Sequence, residues 1–178
     1  MAVRKRTRAR ELALQFLYAV DLREDGRSLE VDPFLRMQTK DDEIYLFATG
    51  LVNGCLAHLE QIDGEIQRIA ENWDLSRLAP IDRNILRIGA HEILHRADIP
   101  PQVTLNEAIE LAKLFSTRNS GGFVNGILDR LRIDCGRAAD QVGPLEVKTG
   151  EPPAREPSGE TSERLDDEPD EDHPHQQH

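Results

Sequence analysis

The residues nearest the amino terminus have the composition of a phosphate-binding surface. Five of the seven residues from 4 to 10 are basic, and none of the seven is acidic. Arginine suits phosphate because its planar guanidinium makes two parallel hydrogen bonds to the anion. At a helix start such cations oppose the macrodipole, which costs about 0.3–1 kcal/mol each where they are exposed. Helix stability therefore does not explain them, and the alternatives are a polyanion site or a terminus that is basic only for solubility. The set, called here the basic head, comprises Arg4, Lys5, Arg6, Arg8 and Arg10.

A polar loop near the end of the body is a second candidate site. Residues 115–123 read FSTRNSGGF, with Arg118 and Asn119 between Phe115 and Phe123. Such a loop can stack an unpaired base on an aromatic ring and bond the edge of that base. The alternative is that both phenylalanines belong to the core. Helical register favours the core for Phe115 and leaves the choice open for Phe123.

Signals for catalysis or metal binding are weak. The chain has no P-loop, no G-x-G-x-x-G and no nucleophile elbow. His91 and His95 would share one helix face, but no third ligand is evident, so a position at the surface or its rim is favoured for them. Glu92 is expected to cap a helix or to pair with a buried group such as Arg87, and not to act as a general base. We therefore predict no enzymatic activity, no cofactor and no metal site.

The spacing of apolar residues predicts an all-α fold. Residues three and four apart are apolar in six successive segments, and no alternating segment of useful length indicates a strand. The segment that Pro80 begins is apolar over much of its circumference. That breadth predicts the central helix of the core.

Local signals predict where other helices begin. Asp41 is expected to cap the second long helix. Thr104 and Glu107 have the spacing of a capping box, which would open a fifth helix. Gly121 and Gly122 are expected to break the chain before a sixth.

Charge divides the chain into two parts. The total of 22 basic and 33 acidic residues leaves a net charge of -11, which by itself argues against a nucleic-acid binder. However, residues 135–178 hold 12 acidic and 4 basic residues, so residues 1–134 are nearly neutral. We expect one helical domain over 1–134 and an acidic tail over 135–178, disordered from residue 137 onward. Three histidines end this tail, and a solvated terminus is favoured over metal capture: His173, His175 and His178.

Cysteine use and hydropathy indicate the compartment. Cys55 and Cys135 make neither a disulfide framework nor a paired zinc motif, so a reducing cytoplasm is the simplest location. No run of about 18 apolar residues is present, and we expect no membrane contact.

Five segments resemble the signature stretches of the NusB family of transcription antitermination factors, in the order and spacing of that family. The resemblance covers about residues 3–133, nearly the whole body. The segments are RARELALQFLY (8–18), NWDLSRL (72–78), DRNILRIG (82–89), NEAIELAK (106–113) and FVNGILD (123–129). The chain departs from the family at His91, where tyrosine is common, and in its long acidic tail.

This resemblance implies a compact fold of two small antiparallel helical subdomains without enzyme activity. Family members bind the single-stranded boxA element of nascent ribosomal RNA leaders together with NusE, a small-subunit ribosomal protein. The pair joins an RNA polymerase antitermination complex and supports ribosomal RNA processing. By resemblance, the basic head would contact RNA. Tyr18 and Asp82 would face NusE, and the residues flanking the RNA would be Phe115, Asn119, Phe123 and Asn125.

Two other functions remain open at this point. The chain resembles the NusB-like domain attached to cytosine-5 ribosomal RNA methyltransferases, although no Rossmann fingerprint follows residue 134. It is also compatible with a protein–protein module whose basic head meets an acidic partner. The free protein is expected to be a monomer or a homodimer.

Overall fold

The computed structural model of the chain describes residues 2–23, 29–70 and 73–137. Within these ranges the chain forms α-helices joined by short connections and contains no strand, which confirms the all-α prediction. A 3₁₀ turn at Leu75–Arg77 precedes the fifth helix. The helices are α1 (Ala2–Asp21), α2 (Val31–Gln38), α3 (Asp42–Ala57), α4 (Leu59–Ile69), α5 (Pro80–His95), α6 (Pro101–Phe115) and α7 (Ser120–Asp134).

Side-chain caps and prolines begin several of these helices. The Asp41 side chain accepts hydrogen bonds from the backbone N–H groups of Glu43 and Ile44, so the predicted cap of α3 is confirmed. Pro80 and Pro101 stand in the first turns of α5 and α6. Proline is well tolerated there because the first N–H groups of a helix have no intrahelical partner.

Two predicted helix boundaries are wrong. Thr104 lies inside α6 and is buried, so it forms no capping box with Glu107. Its hydroxyl instead donates to the Glu92 carboxylate at 2.7 Å. Gly121 and Gly122 do not break the chain, because α7 already begins at Ser120 and includes both. For Thr104, the tertiary hydrogen bond to Glu92 replaces the local cap.

The helices form two groups that share a central helix. Helices α1–α3 pack on one another, α4–α7 pack on one another, and α5 contacts both groups. The largest core cluster contains residues of both groups, so the apolar interior is continuous between them. Nine residues of α5 are buried, which confirms it as the central helix. The arrangement agrees with the two helical subdomains that the family resemblance implies.

A polar network holds the end of α1 against α4 and α5. One carboxylate oxygen of Asp21 accepts from Arg83 at 2.8 Å and from Asn84 at 2.9 Å. Arg87 adds a third donor to Asp21 and makes two hydrogen bonds to Asp63, at 2.8 and 2.7 Å. Since these donors lie on one turn of α5, the network sets the rotation of α5 against α1.

The contact between α5 and α7 at Gly89 requires a glycine. A Cβ built at Gly89 would lie 2.5 Å from Cδ1 of Leu128, a side chain with no solvent exposure and therefore little room to move. Gly89→Ala is expected to lower the free energy of unfolding by about 1–3 kcal/mol through overpacking. Urea denaturation followed by circular dichroism measures this loss.

Gly126 provides a matched control on α7. A Cβ at Gly126 meets nothing within 4 Å. Gly126→Ala should therefore stabilise the chain by about 0.5–1 kcal/mol, because alanine restricts the unfolded backbone more than glycine does. Equal effects of the two substitutions would contradict the tight α5–α7 contact.

No helix in the described part of the chain is long and apolar enough to cross a membrane. Helix α7 ends at Asp134, at the predicted end of the body. The predicted disorder of the tail concerns residues that lie, from 138 onward, outside those described.

Candidate nucleic-acid interface

The basic head occupies the first turns of α1, where Arg4 and Arg6 are exposed and Lys5 and Arg8 are partly so. No acidic residue stands in the first turn of α1 to offset these charges. Among the described residues, neither Arg4 nor Arg6 is paired with a carboxylate. These two guanidinium groups are therefore available to an external anion.

Lys5 and Arg8 are held by ion pairs at the surface. The Lys5 ammonium lies 2.8 Å from Asp41 and 3.0 Å from Glu43, and these hydrogen bonds raise its pKa. Arg8 pairs with Glu11, one turn further along α1. Exposed pairs of this kind contribute about 0–1 kcal/mol, so a phosphate can replace the carboxylates at little cost.

Phe47 on α3 is the aromatic centre of this surface, and nothing in the sequence pattern indicated it. The guanidinium carbons of Arg6 and Arg96 each lie 5.2 Å from the centre of its ring, and that of Arg10 lies at 5.3 Å. These are cation–π distances. The Arg96 guanidinium donates to the Asp98 carboxylate at 2.8 Å, and this bond lowers the pKa of Asp98 to about 2.

A cleft of about 290 Å³ opens beside this aromatic centre. Its wall combines cationic groups with the Phe47 ring and with Leu46, which is 66% exposed. Such a wall offers charge for phosphate and an apolar face for a base. The residues lining it are Lys5, Arg6, Glu43, Leu46, Phe47 and Arg96.

Arg10 does not belong to this exposed surface, contrary to its predicted place in the basic head. Its side chain is 3% exposed and donates to both carboxylate oxygens of Glu92, at 2.8 and 3.2 Å. Glu92 also accepts from Thr104. Glu107 lies 3.4 Å from Arg10 and accepts from the hydroxyl of Thr7 at 3.0 Å. Arg10 therefore joins α1 to α5 and α6 inside the protein.

The predicted partner of Glu92 is also wrong. The sequence suggests a pair with Arg87 on the same helix, whereas Glu92 pairs with Arg10 across the core. Arg87 bonds Asp63 and Asp21 instead. Spacing along one helix cannot identify a partner that lies 82 residues away in sequence.

The polar loop lies at the other end of α6. Arg118 and Asn119 are exposed, and Phe115, at the end of the helix, is 38% exposed. Phe115 is therefore not a core residue. These three side chains remain available to a ligand.

Two other predicted RNA-flanking residues are less accessible. The Phe123 ring packs edge-on against Trp73, with the ring centres 6.4 Å apart. Asn125 is 8% exposed. The structure thus brings Arg118, Asn119 and Phe115 to one loop surface and turns Phe123 and Asn125 toward the protein.

Asp82 anchors the polar loop. The Ser120 hydroxyl donates to its Oδ2 at 2.9 Å and also bonds the hydroxyls of Ser116 and Thr117. The Oδ1 atom of Asp82 is buried and has no hydrogen-bond partner among the described residues. Tyr18, the other predicted partner-facing residue, is partly exposed on α1.

Of the two histidines of α5, only His91 contradicts the predicted surface or rim position. His91 is 4% exposed, whereas His95, one turn further along, is partly exposed. His58, at the junction of α3 and α4, stacks on His95 with the ring centres 4.0 Å apart. The sequence pattern did not associate His58 with this pair, because it lies on an earlier segment of the chain, before α4 begins.

Comparison with known proteins supports the resemblance over the same part of the chain. The NusB family model matches residues 7–132. The transcription antitermination protein NusB of Thermodesulfovibrio yellowstonii is 43% identical over 137 residues, which cover 71% of this chain and 91% of that protein.

Solved structures agree with this match. NusB of T. maritima is 39% identical, with a TM-score of 0.66, and the match covers 72% of this chain and 91% of that one. A chain from a crystal structure of the antitermination factors NusB and NusE with double-stranded RNA is 28% identical, with a TM-score of 0.65, over 74% of this chain and 98% of that one. On this sequence identity and this shared helical fold, the chain belongs to the NusB family.

Proposed function

We propose that this chain is a cytoplasmic transcription antitermination factor that binds the boxA element of nascent ribosomal RNA leaders together with NusE. In this role it joins an RNA polymerase antitermination complex and supports ribosomal RNA transcription and processing. Its function is binding and not catalysis. The observation that carries the RNA-binding part is the exposed cationic surface around Phe47, to which Arg6 contributes a guanidinium without an ion-paired carboxylate among the described residues. Arg4 is exposed on the same first turns of α1.

The geometry supports different binding roles for two surfaces. The basic head and Arg96 supply positive charge beside an aromatic ring, which suits the backbone and one base of a single strand. The polar loop supplies Arg118 and Asn119, whose donors and acceptors suit base edges. Helix α6 runs between the two surfaces, since Glu107 accepts from Thr7 in the first turns of α1 and Phe115 lies about 12 Å further along the axis.

The comparisons support NusE as the partner. A relative of this fold is seen in a crystal with NusE and double-stranded RNA. The match to the T. yellowstonii protein spans 91% of that protein, so it involves nearly a whole NusB and not one domain of a larger methyltransferase. Tyr18 and Asp82 are proposed to lie at the NusE contact.

The salt dependence of RNA binding tests the phosphate contacts. With Arg10 buried, four cations of the basic head remain for phosphate. The logarithm of the association constant should then fall against the logarithm of salt concentration with a slope of roughly -2.8 for a single strand. Fluorescence anisotropy of a labelled boxA RNA, titrated between about 50 and 200 mM salt, measures this slope.

Capture by purified NusE, with and without boxA RNA, completes the test. The proposal expects RNA to strengthen retention of the chain on NusE. Retention without any effect of RNA, together with a salt slope near zero, would contradict it and would favour the protein–protein module.

A further inference from the structure

Three histidines from two separate parts of the chain meet beside the central helix. His58 stands between α3 and α4, and His91 and His95 lie one turn apart on α5. One ring nitrogen of each lies within 4.8 Å of the others. The ring centres are 4.0 to 6.1 Å apart, with the rings inclined by 21 to 30°.

Two of these rings have a buried nitrogen without a partner. Nδ1 of His91 and Nε2 of His95 are inaccessible to solvent and make no hydrogen bond within the described part of the chain. A buried polar atom without a partner costs about 1–3 kcal/mol, so such atoms are rare unless they bind something. His91 itself is 4% exposed.

The third ring is oriented by the backbone. Nδ1 of His58 lies 3.0 Å from the carbonyl oxygen of Gly54, and since a carbonyl only accepts, this nitrogen donates its proton. Nε2 of His58 then carries the lone pair. Metal-binding histidines are commonly held in this way, with the second ring nitrogen donating to a carbonyl or carboxylate.

Gly54 also makes room for the cluster. A Cβ at this position would lie 2.2 Å from Cε1 of His91, so any larger residue would displace the ring. Burial lowers the pKa of His91 to about 4 and also lowers the pKa of His95. Both rings are therefore neutral at pH 7, the form in which imidazole binds metal.

We propose that His58, His91 and His95 bind one divalent transition-metal ion of the zinc class. Three imidazoles with no carboxylate among them suit zinc, nickel or copper and not magnesium or calcium. Zinc–nitrogen bonds of about 2.0–2.1 Å in a tetrahedron place the ligand nitrogens about 3.4 Å apart. The ligand nitrogens lie up to 4.8 Å apart in the structure. Rotation of the histidine side chains would bring them to the distance that zinc requires.

The surrounding charge is compatible with a dication. Arg96 is the cation facing His91, and its charge is offset by two hydrogen bonds to Asp98, at 2.8 and 2.9 Å. Three protein ligands leave a fourth position for water. The bound ion would tie the α3–α4 junction to α5 and so fix one helical group against the other.

The tail contains a competing source of histidine ligands, and the experiment must remove it. The background is therefore the full chain with His173→Gln, His175→Gln and His178→Gln. Zn²⁺ is titrated by calorimetry into this protein, and Co²⁺ by visible absorption, which reports tetrahedral coordination.

One Zn²⁺ per chain should bind to the background protein. His58→Gln and His95→Gln, at two partly exposed positions, should each weaken binding at least tenfold and abolish the Co²⁺ band, with helicity by circular dichroism unchanged. If either variant loses helicity, the other decides the result. No binding to the background protein, or binding that both variants retain, would overturn the proposal.

Discussion

Replacing Arg10 by alanine is expected to lower the free energy of unfolding by about 3–5 kcal/mol. The substitution leaves the Glu92 carboxylate, which has no solvent exposure, without its guanidinium partner. An unpaired buried charge is costly because the interior cannot replace the lost hydration. Among the described residues, only the Thr104 hydroxyl would still donate to the Glu92 carboxylate. Urea denaturation monitored by circular dichroism measures the loss.

Two further variants test this explanation. Arg6→Ala removes a neighbouring cation that is exposed, and it should change stability by less than about 0.5 kcal/mol. The double variant Arg10→Met with Glu92→Gln removes both charges and keeps an acceptor for Thr104, so it should regain more than half of the loss. A stability change in Arg10→Ala as small as that in Arg6→Ala would show that the pair is unimportant in solution.

Replacing Arg4 and Arg6 together by alanine should weaken binding of single-stranded boxA RNA about 25-fold at about 0.1 M salt. Each lost phosphate contact removes about 0.7 from the salt slope, so the slope should change from roughly -2.8 to roughly -1.4. Stability should remain unchanged because both side chains are exposed and make no ion pair within the described residues. Anisotropy titrations at several salt concentrations give the affinity and the slope together.

The matched control changes the same number of charges elsewhere. Arg77 in the 3₁₀ turn and Arg130 on α7 are both exposed, with side chains 86% and 65% accessible. Replacing this pair by alanine should reduce RNA affinity by less than about threefold, because neither lies at the proposed phosphate contacts. If the control pair and the Arg4 and Arg6 pair reduce RNA affinity equally, the affinity depends on the net charge of the chain and not on a site on α1.

The fold was largely predictable from local patterns. Apolar spacing indicated the helices, and the breadth of the apolar face on the Pro80 helix identified the central one. Predictions of helix ends were less successful. Thr104 matched a capping box by spacing, yet its hydroxyl bonds Glu92 on the neighbouring helix. Gly121 and Gly122 matched a break, yet α7 includes them. The Thr104 motif is overridden because a tertiary hydrogen bond to a buried carboxylate competes for the same hydroxyl.

The candidate site was predictable as a region but not residue by residue. The density of arginine marked the start of α1, and Arg4 and Arg6 are indeed exposed there. Arg10 matched the same pattern, but its side chain turns inward because it shares a helix face with the buried Ala13 and Leu14, one turn further along α1.

Phe47 and Arg96 had no signal in the sequence. Each lies on a different helix segment from the basic head, and their role depends on α3 and the end of α5 meeting beside α1.

The helical class, the central helix and the charged start of α1 follow from the sequence alone, because each reflects the periodicity or density of residues within one segment. Which of the charges are exposed, and which side chains meet, depends instead on the tertiary structure. Arg10 with Glu92, and His58 with His91 and His95, are pairings between distant segments. Their free energy depends on burial and distance, and packing of the helices sets both.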